Sequence, residues 1–382
     1  MAPPIYLDHN ATTPVAPEVR DAMRPYFEDE FGNPSSAHEY GRAAHEAVER
    51  ARAQVAALLG CEPDGIVFTA SGSEADNLAI KGVALARLGE GDHIITSAVE
   101  HPAVIGACRY LERRLGYRLT ILPVDGFGAV DPEDVRRAIE PGTVLISVMH
   151  ANNEVGTLQP IGEIARAAHE RGIAFHTDAA QTVGKVPIDV DELAVDLLTL
   201  TGHKFYAPKG IGALYVRPGT RLDSLIHGAD HEHGLRAGTE NVPYIVGLGA
   251  ACSLAAERLR AGASDEIRSV RDRLHEALRS AVPGLALNGH PHNRLPNTLN
   301  VSFPGCDGET LLAGAPSVAA ATGSACHSGR TEPSQVLTAM GLGAPRALAA
   351  IRLSLGYDTT AAEVDAAATA LAAASSTVAL AS

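Results

Sequence analysis

Between residues 66 and 175, short apolar runs bounded by Gly, Pro and polar turns alternate with longer segments of helical spacing, and that alternation leaves few folds open. Strands are expected at 66–69, 93–98, 118–124, 143–149 and 173–175. Helices are expected at 41–59, 71–88, from Asp131-Pro132 to Ile139, at 161–171, and after His101-Pro102, where proline opens a helix well. In 41–59, Ala44, Val48, Ala51, Val55 and Leu58 recur every three or four residues and Gly60 can close the turn. Strand-helix alternation predicts an α/β layer with a mostly parallel sheet, and such sheets bind ligands at the carboxyl ends of their strands. After Tyr244 the pattern changes. A helical stretch, 245–279, breaks at Gly262–Asp265; strand-like 297–303 and 350–355 and an Ala-rich helix from Ala361 follow. These predict a smaller α+β domain.

Composition narrows the function. A formal net charge of −14 over 382 residues argues against binding nucleic-acid phosphates as the main task. Tryptophan is absent, so the core is built from Ala, Leu, Val and Ile. Five widely spaced cysteines with no C-x-x-C argue against a disulfide framework or a structural zinc site. The first residues, MAPPIYLDHN, lack the pattern of a secretory leader, and no apolar run is long enough to span a bilayer. The expectation is a soluble protein in a reducing compartment, the cytoplasm, with no membrane and no direct nucleic-acid partner.

Chemistry concentrates at the strand ends. The segment 197–212, LLTLTGHKFYAPKGIG, is a buried strand that stops at Lys204. A lysine held there is partly desolvated, its pKa falls, and its amine becomes a nucleophile. Upstream, 173–181 reads IAFHTDAAQ and ends near an acid, Asp178, with Gln181 three residues on. A strand-end lysine and aspartate suit a pyridoxal 5'-phosphate site, the lysine as Schiff base and the aspartate on the ring nitrogen; a sheet-edge ion pair is the alternative. Ser71-Gly72-Ser73 lies between a strand and a helix, where free N–H groups bind phosphate, and Ser71 with Glu74 also matches a capping box. His101 and Asn153 follow strands and face either a ligand or ordinary turn chemistry. Arg352, inside the apolar AAIRLSLG, must meet an anion, of the protein or of a substrate. Arg236 and Thr239 share a Gly-rich polar loop. Cys326 lies in a small-residue loop, 322–330, beside His327 and Arg330, which favour thiolate.

In order along the chain, YLDHNATTP, GNPSSAHEYGR, FTASGSEADN, VEHPAV, NNEVGTLQP, HTDAAQTVGK, TGHKFYAPKG, LRAGTENVP, TGSACHSG and IRLSLG together resemble the cysteine desulfurase family of class-V aminotransferase fold. The resemblance implies an α/β pyridoxal-phosphate-dependent transferase fold of the aspartate aminotransferase type, with a mostly parallel seven-stranded sheet. It implies a large domain at 15–250, a small one from 1–14 and 251–382, and a homodimer. By motif, Lys204 would carry the cofactor, Asp178 hold the ring nitrogen, Gln181 the ring hydroxyl, and His101 stack on the ring and act as acid and base. Gly72, Ser73, Thr201 and His203 would bind the phosphate, with Thr239 reaching over from the other subunit. Asn153 and Arg352 would grip the α-carboxylate of L-cysteine, and the Cys326 thiolate would take its sulfur as a persulfide for an acceptor or scaffold protein, in iron–sulfur cluster assembly or thiolation. Selenocysteine lyases and thiol-independent aminotransferase-like enzymes are the related alternatives. The chain departs from the family's Gly-rich Gln-Glu stretch, which here reads HGADHEHG at 227–234, and places Ala207 where many members have Gly.

Overall fold

The computed structural model describes residues 3–323, 325–327 and 330–381; the side chains of 325–327, 330–331 and 378–381 lie outside the described residues. Seven strands form the central sheet in the spatial order Ile66–Thr69, Gly212–Val216, Leu197–Thr201, Ala174–Asp178, Thr143–Ser147, His93–Ser97, Arg118–Leu122. All neighbours are parallel except those of Gly212–Val216, which runs antiparallel to both strands beside it.

Helices cover both faces, as a parallel sheet requires. One face packs Val48, Ala51 and Val55 of helix Glu39–Leu59, and Leu248, Ala251, Cys252 and Ala255 of helix Val242–Arg260, onto Phe175, Leu198 and Leu200. The other packs Ala75, Leu78 and Ala79 of helix Gly72–Ala86, and Val104, Ala107 and Leu111 of helix Pro102–Leu115, onto Ile94, Leu145 and Leu197. Each fully buried Val, Leu or Ile contributes roughly 1.5–3 kcal/mol. Helix Glu39–Leu59 ends at Gly60, whose φ of 73° returns its N–H to Ala56 O, as the sequence predicts.

A separate core surrounds the antiparallel sheet Ala350–Ser354, Thr298–Ser302, Ala286–Asn288. It joins Leu299, Val301, Ile351 and Leu353 to Leu274 and Leu278, to Val364 and Leu371, and to Leu7 near the other chain end. Strand Ile5–Tyr6 pairs in parallel with Val318–Ala319 nearby.

Two segments differ from expectation. The strand expected at 173–175 runs Ala174–Asp178, because His176 and Thr177 are buried and hydrogen-bonded to neighbouring strands, so their polarity hid the strand. The break expected at Gly262–Asp265 is found: helices Val242–Arg260 and Ala263–Ala281 are parted by Gly262 at φ 81°. The loop expected at 322–330 holds an antiparallel ribbon, Ala325–His327 with Arg330–Glu332.

The departing HGADHEHG segment is held from inside. Glu232, buried and at φ 48°, takes both guanidinium nitrogens of buried Arg52 at 2.8 and 2.9 Å and the Phe68 N–H at 2.7 Å. Arg52 also donates to Ile66 O at 2.7 Å. Arg52→Met leaves a buried carboxylate without its cation, so it is expected to cost roughly 3–5 kcal/mol. A urea midpoint unchanged from wild type would contradict this.

Candidate active site

One cavity of about 500 Å³ opens at the carboxyl ends of the parallel strands, where the topology places ligands. Its lining includes Gly72, Ser73, His101, Asn153, Asp178 and Gln181, and also Thr201, His203, Lys204 and Arg352. The fold thus brings together residues spread over 280 positions, 72 to 352, all of them named from sequence.

Lys204 closes the 3-10 turn Gly202–Lys204 that follows strand Leu197–Thr201. Its Nζ donates to Asn10 O at 2.7 Å and Ala11 O at 2.8 Å. Burial, helped by Arg352, pulls its pKa down to about 8, against Asp178 and Asp8, which raise it. That shift agrees with the expectation for a strand-end lysine. In the cofactor-free protein, competitive acetylation of Lys204 is therefore expected to be half-maximal near pH 8. A profile still rising at pH 10 would contradict it.

Asp178 ends strand Ala174–Asp178, buried, with Oδ1 accepting the Ala180 N–H at 2.9 Å. Burial raises its pKa, while that N–H, His101 and Lys204 oppose the rise. A carboxylate so placed gains from a cationic N–H partner. His101 caps helix Pro102–Leu115; its Nδ1 accepts the Ala103 N–H at 3.2 Å, which leaves the neutral ring's proton on Nε2. Burial, then Lys204, lowers its pKa.

The anion end is the N-terminus of helix Gly72–Ala86, whose first N–H groups have no partner within the helix. A Cβ at Gly72 would come within 3.0 Å of Thr201 Cβ, so the helix start packs closely on the strand end here. Ser71 caps this helix by accepting the Glu74 N–H, as the capping reading predicts. Glu74 reaches back to the Ala70 N–H, one residue before the cap, and takes Arg236 Nε at 2.9 Å. His203 holds Thr12 Oγ1 at 3.2 Å. Burial and the nearby lysines hold it neutral, with a pKa of about 4.

Arg352 meets a protein anion, one of the two partners that sequence left open. Nη2 donates to Asp8 Oδ1 at 2.7 Å and Nη1 to Asn153 O at 3.2 Å, while the side chain still lines the cavity. Thr239 is not brought to this cavity; it is exposed and lines a smaller one that shares Gly210. The Cys326 side chain lies outside the described residues. Among the described residues, no group of His, Cys, Asp or Glu is arranged to hold a metal ion, and no helix is long and apolar enough to cross a membrane.

Sequence reading missed a buried polar hub. Asn10 Oδ1 accepts from Lys185 Nζ and Asn297 Nδ2, and its carbonyl accepts from Gln181 Nε2 as well as Lys204. Lys185 also donates to Gln181 Oε1 at 2.8 Å, which fixes the amide so that Nε2 is the donor end. Asp76 lines the cavity and is 2 % exposed; its Oδ1 makes no hydrogen bond among the described residues, and His176 Nε2 stands 3.7 Å from it. Burial, then Asp178, raises its pKa well above the usual carboxylate range. The signal was present: Asp76 is an acid on the apolar helix face of Ala75, Leu78 and Ala79.

Comparison with known proteins shows the family. The class-V aminotransferase family profile matches residues 5–367. The "Cysteine desulfurase IscS" of Methanosarcina thermophila is 50 % identical over 363 residues, 94 % of this chain and 89 % of that protein. A solved NifS-like protein superposes with a TM-score of 0.90 at 37 % identity, covering 97 % of this chain and 98 % of the other. A structure titled "SspA in complex with cysteine" superposes with a TM-score of 0.81 at 41 % identity, covering 92 % and 98 %. The chain belongs to the class-V aminotransferases, and within them to the cysteine desulfurase family.

Proposed function

We propose that this protein is a pyridoxal 5'-phosphate-dependent cysteine desulfurase that converts L-cysteine to L-alanine and leaves the sulfur on Cys326 as a persulfide. The observation that carries the reading is the cavity itself. A nucleophilic lysine, a buried carboxylate and a helix N-terminus meet there with an arginine that has room for a substrate carboxylate.

The residues fit the cofactor. Gly72, Ser73, Thr201 and His203 suit its phosphate, Asp178 its ring nitrogen, Gln181 Nε2 its ring hydroxyl, and Lys204 its aldehyde carbon. When bound, the cofactor supplies an electron sink for bonds to the substrate α-carbon. The chain does the rest. Asn153 and Arg352 orient the α-carboxylate, Lys204 moves the α-proton, and Asp178 keeps the ring nitrogen protonated. His101 Nε2–H serves as a donor over the ring, and the Cys326 thiolate attacks the substrate sulfur.

Homologue names support L-cysteine as substrate. A homodimer in which Thr239 serves the site of a second copy is part of the proposal, as are an acceptor or scaffold protein for the persulfide and a cytoplasmic setting, where free thiols persist. So is a division into a large cofactor domain and a small domain from both chain ends. The proposed parts are 15–250, and 1–14 with 251–382; helix Val242–Arg260, which spans the join, packs Ala251, Cys252 and Ala255 in the large core.

The test is turnover of L-cysteine by the cofactor-loaded protein with a thiol reductant. Equal alanine and sulfide are expected from wild type and neither from Cys326→Ala. Turnover of L-selenocysteine alone would redirect the assignment to a selenocysteine lyase, and sulfide from Cys326→Ala would remove the thiol from the reaction.

A further inference from the structure

Glu154 follows Asn153 in the NNEVGT loop, yet it does not line the ligand cavity. Its backbone is fixed on both sides: the N–H donates to Asn152 Oδ1 at 2.9 Å, and the carbonyl accepts from Asn300 Nδ2 at 3.1 Å. The side chain turns the other way. Oε2 accepts the Ser334 hydroxyl at 2.5 Å. A methyl group added at Gly323 would overlap the same oxygen, so the carboxylate lies directly against the Gly323 backbone.

Gly323 and Ser334 are the two ends of the segment that carries Cys326. On the Gly323 side, Ala321 is bonded in both directions to the backbone of Arg352, at 2.7 and 3.3 Å. On the Ser334 side, the same hydroxyl that donates to Glu154 accepts the Leu337 N–H and caps helix Gln335–Ala339. One carboxylate thus touches both ends of the cysteine segment, and it is the immediate neighbour of the residue placed on the substrate carboxylate.

We propose that Glu154 is a positioning residue: it ties both ends of the Cys326 segment to the Asn153 loop, and so sets where the thiol reaches relative to a substrate held by Asn153 and Arg352. This rests on the desulfurase reading above. A purely structural acid would weaken every reaction of the protein equally. A positioning acid weakens only those that need Cys326.

Two reactions of the holoenzyme separate the cases. Sulfide release from L-cysteine needs the Cys326 thiol. Exchange of the α-hydrogen of L-alanine with solvent deuterium needs Lys204, Asn153 and Arg352 but no thiol. Glu154→Ala is expected to lower kcat for sulfide release by about 10- to 100-fold, the scale of a 1 Å misplacement, without moving KM or alanine exchange. Glu154→Gln keeps an oxygen for the Ser334 hydroxyl and is expected to recover most of the loss. Gly323→Ala should lower sulfide release in the wild-type background and much less in Glu154→Ala, where the colliding oxygen is gone. Sulfide release and alanine exchange falling together in Glu154→Ala would overturn the proposal. So would equal effects of Gly323→Ala in the two backgrounds. Unchanged sulfide release in Glu154→Ala, with sulfide lost in Cys326→Ala, would overturn the role of Glu154 alone. Sulfide from Cys326→Ala would instead overturn the parent reading, and this one with it.

Discussion

Lys204→Ala is expected to lower L-cysteine turnover by roughly 10⁴- to 10⁶-fold, the range seen when the nucleophile of a cooperating set is removed. The expectation follows from where the amine sits. Two carbonyls, Asn10 O and Ala11 O, aim it, and burial brings its pKa to about 8, so a useful fraction is uncharged at neutral pH. The other lysines near the cavity are placed differently. Exposed Lys209 sits at the cavity lining, and Lys185 is committed to Gln181 and Asn10. The variant should keep its fold and still bind the cofactor, because the residues proposed for its phosphate and ring nitrogen are untouched. Added methylamine should restore part of the rate. Activity within tenfold of wild type would show that Lys204 is not the reacting amine.

Asp178→Asn is expected to reduce kcat by about 10²- to 10³-fold, comparable with removal of one preorganised electrostatic partner from an active site. The amide is nearly isosteric and can still accept the Ala180 N–H through its oxygen, so geometry is kept and only the charge is lost. Stability should move the other way. In the free protein Asp178 is a buried acid whose charge burial disfavours. Neutralising it should leave the melting temperature of the cofactor-free protein equal or higher, the pattern of a site that gives up stability for function. A variant that lost activity and melted lower would assign Asp178 to the fold instead.

Much of this was legible in the chain because the relevant patterns are local. The strand ends at Thr69 and Thr201, the cap at Ser71 and the stop at Gly60 each announce themselves within a few residues, and the α/β topology then gathers the site at the carboxyl ends of the parallel strands. Long-range pairing was not legible. Asn10 appeared as a polar turn residue, and nothing near it shows that residues 175 and 287 positions away bond to its side chain. Arg352 announced its need for an anion but not which one, and the fold answers with Asp8, 344 residues away. The HGADHEHG segment looked foreign to the family, yet Glu232 makes a buried ion pair with Arg52.

The central claim is that sulfur passes through Cys326. The most direct measurement is mass spectrometry of the cofactor-loaded protein after one turnover of L-cysteine without reductant. One added sulfur atom is expected on the peptide carrying Cys326, removed by a thiol reductant and absent from Lys204→Ala. Alanine formed in equal amount with no sulfur on that peptide, or sulfur on Cys61, Cys108, Cys252 or Cys306 instead, would contradict it.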